Sequence, residues 1–115
     1  GFLYIVGRKK DMIKSGGENV YPAELELVML EHPAVDAAAV VGIPDRKWGE
    51  AVCAAVVLKK GQILTENDFI EYCKANMGRF KIPKRVEFMD ELPRNVTGKV
   101  LKHELKDLFL KDASD

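Results

Sequence analysis

Apolar and polar residues alternate in blocks along this chain, and the blocks predict an order of elements. Residues 3–6 form a short β-rich run, closed by Gly7 and the charged stretch Arg8-Lys9-Lys10-Asp11. Met12-Ile13-Lys14 reads as its return strand, ending at Ser15-Gly16-Gly17-Glu18-Asn19. Two adjacent glycines adopt positive φ at little cost, so a sharp turn or an exposed loop is expected there. Pro22 suits a first helical turn, and Glu24 and Glu26 suit the positive end of that helix. Leu25, Val28 and Met29 give it an apolar stripe at helical spacing, and His32-Pro33 stops it.

Residues 35–43 and 51–58 are Val/Ala-rich runs of strand length, so apolar that helices should cover at least one face of the sheet they form. Residues 42–50, with Pro44, Trp48 and Gly49, read as the loop between them. Thr65 with Asp68 has the spacing of a capping box. The helix it opens carries Phe69, Ile70, Cys73 and Met77 on one face. Pro83-Lys84-Arg85 precedes a third strand at 86–89. After the loop at 94–99, Leu101, Leu105, Leu108 and Phe109 repeat at i, i+4, i+7 and i+8, and 111–115 reads as a frayed tail. The order predicts a small α+β domain: a short N-terminal hairpin and a roughly three-stranded sheet packed by helices.

Composition narrows the function classes. The 115 residues balance 18 Lys+Arg against 18 Asp+Glu, with 47% hydrophobic and 31% charged residues, an ordinary globular mixture. One domain of this size buries roughly two-thirds of its unfolded surface, so neither a metal nor a disulfide is needed to complete a core. Zero net charge argues against non-specific nucleic-acid binding, which rests on basic excess. No apolar run approaches the roughly 18 residues of a membrane helix. Cys53 and Cys73 form no C-x-x-C and sit in apolar stretches, as packed, reduced thiols of a cytoplasmic protein do. Without a secretory signal, the sequon Asn95-Val96-Thr97 carries no expectation of glycosylation. Strand-like sequence begins at Gly1 with no initiator Met, so the chain reads as the interior of a longer protein or a separately expressed domain.

No conventional catalytic set is present. His32 and His103 lack metal-ligand spacing, and no metal site is expected. Gly98-Lys99 ends like a phosphate-binding loop, but Pro93 stands where the earlier glycine is required and Val100 where Ser/Thr is required, so a Walker-type site is rejected. Two glycine-marked polar segments remain, 7–26 and 93–102, each with a basic residue beside a turn. A lysine there is either a solvated helix start or a point charge able to reach a phosphate or carboxylate.

Taken together the segments are more specific. Residues 7–26, GRKKDMIKSGGENVYPAELE, closely resemble the hinge and loop motif of the adenylate-forming enzymes, the superfamily of acyl-CoA synthetases, aryl-CoA ligases, luciferase and peptide-synthetase adenylation domains. Residues 93–102, PRNVTGKVLK, resemble that superfamily's C-terminal lysine motif. Val40-Val41-Gly42-Ile43-Pro44-Asp45, followed by Trp48-Gly49-Glu50, is also typical. The resemblance spans essentially all of residues 1–115 and matches only the small C-terminal lid domain. The large N-terminal domain, with its phosphate loop, adenine pocket and acyl pocket, is absent from these residues.

The resemblance implies two half-reactions: a carboxylate attacks the α-phosphate of ATP to give acyl-AMP, then the CoA thiol displaces AMP after the small domain rotates. Lys99 matches the adenylation lysine, delivered on a flexible Thr-Gly turn. Lys10 matches the hinge, and Arg8 and Lys14 fall on nucleotide-side positions, Lys14 steadying the second conformation. Ser15, Gly16, Gly17, Glu18 and Asn19 match the loop lining the pantetheine channel of CoA. Phe80 and Lys81 sit where some relatives contact the CoA nucleotide, Phe80 stacking on adenine or packing in the core. Mg2+ would arrive with ATP, bound mainly by the large domain. The SGGENVYPAE style favours CoA thioester formation over carrier-protein loading. The whole protein is then an AMP-forming acid–thiol ligase of the long- or medium-chain fatty-acid–CoA type. An aryl acid, or a free-standing CoA- or partner-binding module, is the alternative. The isolated chain is expected to fold without turning over.

Overall fold

The computed structural model describes residues 12–47, 49–77 and 82–113. The expected run at 3–6, with Arg8, Lys10, Trp48, Phe80 and Lys81, lies outside them.

The α+β order holds. Strands β1 (Ile13–Ser15) and β2 (Glu18–Val20) form a hairpin, whereas the expected one paired 12–14 with the run at 3–6 and left 18–19 in the turn. These two strands are followed by α1 (Pro22–Leu30), β3 (Val35–Asp45), β4 (Gly49–Leu58), α2 (Glu66–Asn76), β5 (Arg85–Phe88) and α3 (Lys102–Ala113). The sheet is five-stranded, larger than the three strands expected, because the hairpin joins it through Ser15 opposite Gly49. β4 is the centre. β3 runs antiparallel along one edge, while β5 pairs in parallel on β4 at residues 53–56.

Both faces of β4 are covered, which explains its unbroken apolar sequence. Val52, Ala54 and Val56 pack with Leu25 and Met29 of α1 and with Phe69 and Cys73 of α2. Ala51, Cys53, Ala55 and Val57 pack with Leu92 and with Leu105 and Phe109 of α3. Alternate residues of a strand face opposite sides, so a run buried on both faces shows no polar phase. A register shift between Val35 and Ala37 puts Val35 on the same side as Val40. This bulge is invisible in a continuous Val/Ala run.

Several boundaries differ from expectation. The loop expected at 42–50 is mostly strand, since β3 continues through Pro44 to Asp45. Among the described residues no strand pairs with the far side of β3, and an edge strand tolerates proline. The turn is short: Asp45 Oδ1 accepts from the Lys47 amide at 2.8 Å and Gly49 takes φ +85°. The tail expected from 111 is helical to Ala113. Leu108, expected on the buried face of α3, is 49% exposed, while Leu105 and Phe109 are sealed.

Local signals elsewhere hold. Pro22 opens α1. Thr65 Oγ1 accepts from the Asp68 amide at 3.1 Å, capping α2. The Glu26 carboxylate on α1 accepts from the Val40 amide of β3 at 2.8 Å and pairs with Lys102 of α3 at 2.9 Å. Both cysteines are free and buried, and burial pushes each thiol up to about 11.

Candidate functional site

Two hairpins carry the sequence-predicted residues that the structure describes. In the first, Ser15 and Glu18 face each other across Gly16 (φ +59°) and Gly17 (φ +83°). Two consecutive positive φ values make a type I′ turn, the tight connection that matches strand twist. Of the two alternatives expected here, the sharp turn is the one formed, a two-residue hairpin connection. Ser15 is 2% exposed, whereas Lys14, Gly16, Gly17, Glu18 and Asn19 face solvent. The exposed set available to a ligand is thus 16–19 with Lys14, and Ser15 belongs to the domain interior.

This hairpin is fixed from the sheet. Glu50 Oε1 accepts from the Lys14 amide at 2.9 Å. Gly42 lies under Ile13, where an added Cβ would stand 2.9 Å from Ile13 Cγ2 and 3.0 Å from Glu50 Oε2. Only glycine at 42 lets β1 lie this close to β3.

The second hairpin holds Lys99. Arg94 and Val100 form an antiparallel bridge. The Asn95 amide donates to the Lys99 carbonyl at 2.9 Å, and the Gly98 amide donates to the Asn95 carbonyl at 3.0 Å. No non-glycine residue among those described has positive φ, and Gly98 takes φ +89°. The turn Asn95-Val96-Thr97-Gly98 is therefore type I, with the left-handed glycine that lets the strands resume pairing. Asn95 Oδ1 accepts from the Thr97 amide at 3.0 Å, the Thr97 hydroxyl at 2.7 Å and the Lys99 amide at 3.0 Å. Arg94 donates to the Gly98 carbonyl at 2.9 Å. The Thr-Gly turn, expected to be flexible, is braced by hydrogen bonds at Asn95, Thr97, Gly98 and Lys99. Its Asn-x-Thr pattern is the signature of that bonding. Lys99 is exposed, and among the described residues its ammonium has no carboxylate partner.

Met12 and Ile13 share a cavity of about 140 Å³ with Lys102, His103 and Lys106 of α3, over Gly42 and Glu50. Arg8, Lys10, Phe80 and Lys81 lie outside the described residues. Sequence reasoning missed Asn95 and Glu50 as supports. Asn at the first and Gly at the fourth position of a type I turn was the available signal for Asn95. Nothing local pointed to Glu50, whose partner is 36 residues away. His32 is a local cap, with Nδ1 accepting from the Ala34 amide at 3.0 Å. No three His, Cys, Asp or Glu among the described residues are grouped to hold a metal ion. No helix among them is long and apolar enough to cross a membrane.

The chain is similar to proteins of known activity. A 2-succinylbenzoate–CoA ligase of Geobacillus sp. (strain WCH70) is 51% identical over 95% of the chain and 22% of its own length. The long-chain-fatty-acid–CoA ligase FadD13 of Mycobacterium tuberculosis is 50% identical over 95% of the chain and 22% of its own length. The Bacillus subtilis o-succinylbenzoate CoA synthetase, solved in complex with its acyl-adenylate intermediate, superposes with a TM-score of 0.79 at 44% identity, covering 86% of this chain and 20% of that one. The chain thus spans about a fifth of the length of the relatives it matches. The AMP-binding enzyme C-terminal domain model matches residues 24–99, and with that match the chain belongs to the AMP-binding enzyme C-terminal domain family, the small domain of adenylate-forming acyl-CoA synthetases.

Proposed function

We propose that this chain is the catalytic lid of an ATP-dependent, AMP-forming acid–CoA ligase whose large domain lies in the same polypeptide. The observation that carries the reading is the ordered hairpin that presents Lys99 to solvent without a carboxylate partner among the described residues. A carboxylate and the α-phosphate of ATP repel each other as they approach. An ammonium held beside both stabilises the charge of that transition state, an electrostatic contribution of about 2–4 kcal/mol for a single group. The same charge does nothing for attack of a thiol on an acyl-adenylate once the lid has turned.

In the second half-reaction the β1–β2 hairpin takes its turn. Gly16 and Gly17 add no side chains, so backbone can close on a narrow pantetheine arm. Glu18 and Asn19 flank them, and Lys14 steadies that orientation. Lys10 is the hinge, Arg8 lies on the nucleotide side, and Phe80 and Lys81 lie on the CoA-nucleotide side. Mg2+ enters with ATP, held by the large domain. The protein works in the cytoplasm.

Two acyl classes have support. FadD13 favours a long-chain fatty acid, and the 2-succinylbenzoate ligases favour an aryl acid. The two match this domain equally because the acyl pocket belongs to the large domain, so a panel of fatty and aryl acids given to the full-length enzyme decides between them.

The test of the lid reading uses the full-length enzyme with Lys99→Ala. Acyl-CoA formation from ATP and carboxylate should collapse, while formation from pre-made acyl-AMP survives. Equal loss in both would make Lys99 structural, and no loss in either would remove it from the mechanism.

A further inference from the structure

The Lys99 hairpin has no apolar core of its own. Residues 94–99 are all exposed, and Val96 at its tip is wholly so. Hydrogen bonds therefore set its shape, and three of them end on one atom, Asn95 Oδ1. An amide oxygen has two lone pairs, so three donors leave it no capacity for anything else. One of those donors is the backbone amide of Lys99 itself.

We propose that Asn95 is a positioning residue for adenylation, its amide oxygen fixing the direction in which Lys99 leaves the turn. The inference rests on the reading of Lys99 as the adenylation lysine. A lysine side chain already has four rotors to localise. Were its Cα free as well, that further freedom would be lost on reaching the transition state and the rate would fall. Every donor on Oδ1 is exposed, so water replaces the lost partner at little cost to the fold. Stability and rate should therefore part company at this residue.

The experiment is a double-mutant cycle in the full-length enzyme with both half-reactions measured. Asn95→Ala should lower adenylation about 10- to 100-fold, the range expected when a reacting group is misplaced by about an ångström. It should leave thioester formation from pre-made acyl-AMP unchanged and the melting temperature near wild type. Asn95→Asp keeps an acceptor at the same distance and should restore most of the adenylation rate. In the Lys99→Ala background, Asn95→Ala should have no further effect, because it acts through that lysine. If Lys99→Ala abolishes adenylation while Asn95→Ala leaves it intact, this inference fails and the lid reading stands. If Asn95→Ala lowers both half-reactions equally, or adds its full effect to Lys99→Ala, Asn95 is only structural. If Lys99→Ala itself leaves adenylation intact, the reading beneath both fails.

Discussion

The β1–β2 hairpin is fixed from outside its turn, and the Arg94–Val100 hairpin from inside. In the first, two glycines make the turn, and the anchors are Glu50 and the Ser15–Gly49 pairing, both supplied by the sheet. In the second, a single glycine ends the turn and the anchor is Asn95, a member of the turn itself. Glycine marks a backbone conformation in both. What surrounds it decides how the hairpin is held. A hairpin tied to the sheet moves with the domain, whereas a self-bonded one keeps its shape on any support. On the lid reading proposed above, the two hairpins can serve in turn without either having to refold.

The largest expected effects set one hairpin against the other. In the full-length enzyme, Lys99→Ala should cost adenylation about 10²- to 10³-fold, whereas Lys14→Ala should spare adenylation and slow thioester formation from acyl-AMP. Loss of the same half-reaction in both variants would erase the distinction. Gly42→Ala comes next. The new Cβ meets Ile13 at 2.9 Å, and such overpacking costs about 1–3 kcal/mol. Urea unfolding of the 115-residue chain should register it, and amide exchange should quicken across β1 and β2 while the Thr97 and Lys99 amides stay as they were. Glu50→Ala should be milder, about 0.5–1.5 kcal/mol for one lost hydrogen bond, with Glu50→Gln retaining most of it. Hydrogen exchange at the Lys14 amide reports the change directly.

The smallest effect concerns the frame both hairpins share. Burial raises the Cys53 and Cys73 thiols to about 11, with the Arg85 charge partly opposing this at Cys53. A raised thiol pKa favours the neutral form in the folded chain. This contribution to stability is complete below about pH 9 and is lost as pH climbs from there through 11. At pH 8 both thiols should react with iodoacetamide at least about a hundredfold more slowly than free cysteine. Rapid labelling of the folded chain would mean that one face of β4 opens readily.

Much of this was legible in the residues. Pro22, Thr65 with Asp68, and the spacing of Leu105 and Phe109 gave helix starts and faces, because those signals are local. The motifs around Lys14 and Lys99 were legible by resemblance. The faces of β3 and β4 were not, since a strand buried on both sides has no polar phase to read. Nor was the bulge after Val35, because one Val/Ala register looks like the next. Leu108 satisfied helical spacing but lies toward a groove with Met89, Glu91 and Arg94, and periodicity alone cannot show where a neighbouring loop stops short. The order of the Lys99 turn was hidden for another reason. Thr-Gly suggests freedom until Asn95 is seen two residues before Thr97, bonded to it.

The Glu26 carboxylate has a consequence for life in a crowded cell. β3 is eleven residues long, and among the described residues its outer side pairs with no strand. Such a flank is a ready template for adding a strand from another molecule. Pro44 contributes no amide to it, and Glu26 already occupies the amide of Val40 while its other contact, Lys102, sets a charge beside the row. The interrupted row leaves little for a passing chain to zip onto.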